Sequence, residues 1–173
     1  MQFFSGFSLT NESYLFEEYI DKSKYSVSGF SYGAIRALTF VKQELKKGNR
    51  IDRLQLFSPA FFQSKDAKFK KLQLLSYRKN KDIYLKQFLN ACFAPYERKI
   101  VENVQTRVEE LEELLRYEWN TDELEFLVSK GVVIEVYLGG KDAIVDAISS
   151  KNFFINHSTV TYIKEANHFL QIK

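Results

Sequence analysis

The chain has 173 residues, 45% hydrophobic and 16% aromatic, with a formal net charge of +3. That supplies one globular core and excludes the composition of a disordered chain. No nucleic-acid-binding motif accompanies the mild positive charge, and no apolar run is long enough to span a bilayer or to act as a leader, so neither nucleic acid nor a membrane is an expected partner.

The first four residues read as an apolar strand running into a turn at Ser5-Gly6. A helix is expected over 11–20. Tyr25-Ser26-Val27-Ser28 alternates in polarity like a strand, and Ala34 to Lys47 has helical spacing (Ile35, Leu38, Val41, Leu45) that ends at Gly48. Between them lies Gly29-Phe30-Ser31-Tyr32-Gly33, a G-x-S-x-G pattern. Glycines on either side allow the tight turn that would hold a serine hydroxyl exposed at the end of a sheet, beside the free N–H groups of a helix start.

A strand follows over 51–57, then a long helical stretch from Asp66 to Val128 with a break at Ala94-Pro95. Between Phe61 and Lys99 there are ten Lys or Arg against three Asp or Glu, more net positive charge than the whole chain carries. Lys65, Lys68, Lys70, Lys71, Arg78 and Lys79 are the candidate contacts for an acidic partner; a solvated helical face is the plain alternative. Ile100, Val101, Val104, Val108, Leu111 and Leu115 are read as the apolar stripe of a further helix with an acidic outer face, Glu109 to Glu113.

Three more elements close the chain: a strand over 132–138, a helix over 144–155 and a strand over 159–164. Gly139-Gly140-Lys141-Asp142 leaves the first of these strands, and Glu165-Ala166-Asn167 leads from the last to His168. A serine nucleophile needs a base, and a base needs an orienting acid. His168 fits the first role, because His157 precedes its strand instead of following it. Asp142 fits the second, with Asp146 in reserve. The two oxyanion donors would be the backbone N–H groups of Phe7 and Tyr32. Cys92, among Phe88, Leu89 and Phe93, reads as a packing residue; as the only cysteine it allows no internal disulfide, which suits a reducing cytoplasm. No cluster has metal-ligand spacing and no glycine-rich phosphate loop is present, so neither a metal nor a cofactor is expected.

Strands alternating with helices imply a parallel sheet of five strands in sequential order. Right-handed crossovers in that order place every helix on one face. The polar alternation at Ser26/Ser28, Arg53/Gln55, Glu135 and Thr159/Thr161 matches a second face that is thinly covered, or shielded by a second copy in a homodimer.

On Ser5-Gly6-Phe7, Gly29-Phe30-Ser31-Tyr32-Gly33, Gly140-Lys141-Asp142 and Asn167-His168-Phe169, the chain resembles a reduced α/β-hydrolase, a single domain over 1–173 with a helical cap at 60–125. Among such enzymes it is similar to the short pimeloyl-[acyl-carrier protein] methyl ester esterases of bacterial biotin synthesis, the BioV type. The resemblance implies a Ser31–His168–Asp142 carboxylesterase that takes its ester from an acyl carrier protein docked on the basic cap. It departs from the usual pattern in having Ser5 where His precedes the oxyanion glycine, and Asn167 where Gly often precedes the histidine. A generic small-ester or thioester hydrolase, and an idle hydrolase scaffold acting as a binding module, are the alternatives.

Overall fold

The structure, a computed structural model, describes residues 1–173. Its centre is a sheet of five parallel strands: β1 (Gln2–Phe4), β3 (Ser26–Phe30), β4 (Arg53–Phe57), β6 (Val133–Gly139) and β7 (Thr159–Ile163), side by side in that order. A second sheet holds only two short antiparallel strands, β2 (Leu9–Thr10) and β5 (Glu102–Asn103). The α/β fold expected from the alternation is the one found. No helix is long and apolar enough to cross a membrane.

Register explains the two faces of the sheet. Val27, Leu54 and Ile134 stand in one cross-strand row, and Gly29, Leu56, Val136 and Val160 in another. Side chains of these rows pack in one cluster with α1 (Tyr32–Lys46), α5 (Thr121–Ser129) and α6 (Ala147–Phe154), through Ile35, Leu38, Val41, Leu124, Leu127 and Phe154. The three crossover helices therefore share one face, as sequential right-handed crossovers require.

The opposite face carries Ser28, Gln55 and Glu135 in one row and Phe30, Phe57 and Tyr137 in the next. No helix covers it. The stretch expected as a helix over 11–20 forms only a 3₁₀ turn, Glu12–Phe16, which runs on as turn residues to Tyr19 and there stops. Gln55 is the reason. Its amide donates to the Tyr19 carbonyl at 2.9 Å and its oxygen accepts the Asp21 N–H at 2.8 Å, so the end of this segment is tied to the sheet instead of continuing the turn into a helix. Arg53 bridges Asp21 and Glu135. Phe16 is fully buried, stacked on Phe57 at 4.9 Å and also against Phe30 at 4.9 Å. The thinly covered face is thus shielded at its centre by the chain's own segment, while Thr159 and Thr161 stay exposed at the β7 edge. Phe16→Ala should lower stability by about 3 kcal/mol, read from the urea midpoint, since its fully buried ring packs on two strands at once.

The long helical stretch resolves into α2 (Ala67–Lys79), α3 (Lys81–Phe93), α4 (Val108–Arg116) and α5. Side chains that compete for backbone make the breaks: Asn80 accepts the Ile83 N–H at 3.0 Å and Asn120 the Asp122 N–H at 2.8 Å, each capping a new helix. The stripe read as a helix from Ile100 starts only at Val108. Glu102 and Asn103 pair with β2 instead, and Ile100 is 86% exposed. Leu111 and Leu115 are buried as the stripe required. Helix α5 packs on β6 as part of the main layer, so α2, α3 and α4 alone form the layer above the strand ends.

Candidate active site

Ser31 occupies the turn between β3 and α1 with φ 53° and ψ −114°, a conformation that a residue with a side chain rarely adopts. Its surroundings over-determine it. The Ser31 N–H donates to the Phe57 carbonyl at 2.9 Å, and its carbonyl accepts from Ala34 and Ala60, both at 3.1 Å. The flanking glycines let backbones meet: a Cβ on Gly29 would fall 2.3 Å from the Gly33 carbonyl oxygen.

The three residues the sequence points to are brought together by hydrogen bonds. His168 Nε2 lies 3.1 Å from Ser31 Oγ, and His168 Nδ1 lies 2.6 Å from Asp142 Oδ2. The Asp142 and His168 side chains are wholly buried. Asp142 Oδ1 is occupied by the N–H groups of Ile144 at 2.7 Å and Val145 at 3.0 Å, which leaves Oδ2 for the imidazole. With Nδ1–H donating to that carboxylate, Nε2 is the free acceptor facing the serine hydroxyl. Asp146 is elsewhere: it caps α6, accepting from the N–H and hydroxyl of Ser149. His157 lies 3.8 Å from Glu125, away from the site.

Asn167, met in the sequence only as a departure from pattern, fixes the His168 loop. It is buried, its amide donates to the Phe93 carbonyl at 2.7 Å, and its oxygen accepts from Phe169 and Gln171, both at 3.0 Å. Phe30 packs against the imidazole at 4.9 Å between centroids. A polar residue beside the histidine was the available signal for Asn167; nothing marked Phe30, the variable position inside the G-x-S-x-G pattern, as the floor under the ring.

The Phe7 and Tyr32 N–H groups have no acceptor within the chain. The Phe7 side chain lines a cavity of about 340 Å³ that reaches Ser31 and runs between the sheet ends and α2, α3 and α4. Phe62, Phe69, Phe88, Leu111 and Ile144 form its walls, Gln73, Ser76, Tyr84 and Gln87 contribute polar groups, and no charged side chain lines it. The Tyr32 hydroxyl donates to Glu113 at 2.7 Å, tying the start of α1 to α4; burial first, then this carboxylate, holds its phenol well above the ordinary range. Cys92 is buried, and burial together with the nearby Asp142 charge pushes its thiol up, which makes it a packing residue and not a nucleophile.

Of the six basic residues singled out above, Lys70, Lys71 and Arg78 line an open groove between α2 and α4, shared with Arg116, Glu112 and Glu118. Lys68 and Lys79 are exposed on α2, and the Lys65 ammonium lies 5.6 Å over the Phe69 ring. None of the six forms an ion pair within the chain, in contrast with Lys42, Arg53, Arg116 and Lys141.

No protein-family model matches the chain, and no curated protein matches its sequence. Solved structures do match its shape. An esterase from Exiguobacterium antarcticum superposes with a TM-score of 0.61 at 18% identity, over 83% of this chain and 59% of that one. The naproxen esterase from Bacillus subtilis gives 0.52 at 22% identity, over 96% and 62%. BioG from Haemophilus influenzae gives 0.56 at 10% identity, over 98% and 88%. The chain thus spans only about three fifths of the two larger esterases, and what these likenesses show is its fold, a reduced version of the α/β-hydrolase fold.

Proposed function

We infer that the chain is a serine carboxylic ester hydrolase whose substrate is the methyl ester of a pimeloyl chain held on acyl carrier protein. The observation that carries ester hydrolysis is the buried line Ser31–His168–Asp142 opening on an uncharged cavity with aromatic walls. His168 takes the Ser31 proton as the hydroxyl oxygen attacks the ester carbonyl. The oxyanion that forms is met by the unused N–H groups of Phe7 and Tyr32. The C–O bond to methoxide breaks, His168 returns the proton, and methanol leaves. Water, deprotonated by His168, then attacks the acyl-serine and frees the acid. Asp142 keeps Nδ1 protonated and steadies the imidazolium. Two of the fold neighbours are described as esterases, which agrees with this chemistry.

The carrier rests on different support. Carrier proteins are acidic, and the α2/α4 groove presents cations that the chain's own carboxylates leave free. Such docking raises association rate and weakens with salt. Hydrolysis of the carrier-bound ester should exceed that of the free methyl ester in kcat/KM, and fall about tenfold from low to high salt while the free ester does not change. Equal rates on both esters, indifferent to salt, would leave a generic esterase and remove the carrier.

A further inference from the structure

One buried acid takes no part in the chemistry above. Glu12 opens the 3₁₀ turn after β2 and is completely buried. Its Oε1 accepts the Gly6 N–H at 2.7 Å, while Oε2 is buried without a partner. Burial raises its carboxyl above the usual range, against the pull of the Gly6 N–H and the Ser5 hydroxyl. Burying this carboxyl carries a desolvation cost that its hydrogen bond from Gly6 offsets only in part. What it does hold is the loop that carries the first oxyanion donor.

Gly6 is fixed on both sides. Its N–H is held by Glu12, and its carbonyl accepts the Leu9 N–H at 3.2 Å. That carbonyl and the Phe7 N–H belong to one planar trans peptide, so they point in opposite directions, and holding one aims the other. The Phe7 N–H is the group without an acceptor, on a residue whose ring lines the cavity beside Ser31. We propose that Glu12 is a positioning residue: by holding the Ser5–Gly6 peptide through the Gly6 N–H it anchors the loop in which the Gly6–Phe7 peptide, held at its carbonyl by Leu9, turns the Phe7 N–H to the developing oxyanion. The role rests on the ester-hydrolase reading of Ser31, and it asks of Glu12 only a hydrogen-bond acceptor, not a charge.

Glu12→Leu fills the space and removes the acceptor; Glu12→Gln keeps an acceptor oxygen. With a short methyl ester, Glu12→Leu should lose about 10- to 100-fold in kcat with KM within twofold, and with no fall in urea midpoint that would account for the loss. Glu12→Gln should retain kcat within about threefold. A folded Glu12→Leu protein with unchanged kcat would overturn the role, and so would a folded Glu12→Gln protein that loses more than tenfold, even where the leucine variant does not fold. A wild-type chain that hydrolyses no ester and is not labelled at Ser31 by a fluorophosphonate would instead overturn the ester-hydrolase reading, and the role of Glu12 with it.

Discussion

Ser31→Ala should lower kcat for ester hydrolysis by on the order of 10⁴- to 10⁶-fold, and His168→Ala should do the same. The double variant should be no slower than either single one. The hydroxyl at 3.1 Å from Nε2 is a nucleophile only while the imidazole can take its proton, so removing either partner disables the same step. Losses that multiplied would mean the two residues act in separate steps. Both variants should keep the wild-type circular dichroism spectrum, and Ser31→Ala should lose fluorophosphonate labelling altogether. Residual hydrolysis within about tenfold of wild type would place the chemistry at another residue.

Gly33→Ala should be the most damaging single methyl group in the chain, destabilising it by about 5 kcal/mol, a large share of the 5–15 kcal/mol typical of a domain. The added Cβ would stand 2.0 Å from the Phe4 carbonyl oxygen and 2.6 Å from that of Ser5. Both obstacles are backbone, so no rotamer change relieves them. Phe4 pairs with Gly29 in the sheet, and Ser5 leads directly into the Gly6 loop. The helix would have to leave the strand, or the strand the sheet. Gly48→Ala is the matched control: its φ is +81° but its Cβ would meet nothing within 4 Å, so it should cost only about 1 kcal/mol. Urea unfolding of the two variants checks the difference; similar midpoints would mean that the turn yields more readily than its geometry implies.

The fold and the central hydrogen-bonded line were legible because their signals are local. Strands 25–28, 51–57, 132–138 and 159–164 alternate or cluster in apolar residues, and Ser31, Asp142 and His168 each sit where a strand hands over to a loop. Where reading failed, a distant partner had decided the outcome. Residues 11–20 have helical spacing, but Gln55, more than thirty positions away, takes up the Tyr19 and Asp21 backbone. Residues 100–107 continue an apolar stripe, but β2 claims Glu102 and Asn103 for pairing. The contacts of Glu12 and Asn167 escape the sequence for the same reason: each reaches backbone groups, the Gly6 N–H for one and the Phe93 carbonyl with the Phe169 and Gln171 N–H groups for the other, that no periodicity records.

The uncharged lining of the cavity bears on product release. An ester enters neutral and leaves as an anion, and a cavity lined by Phe62, Phe69, Phe88 and Leu111 with only neutral polar groups offers that anion less than water does and no cation in return. The same walls that hold the ester repel the acid it becomes. Product inhibition should therefore be weak, and catalysis should run toward the acid without the site filling with its own product.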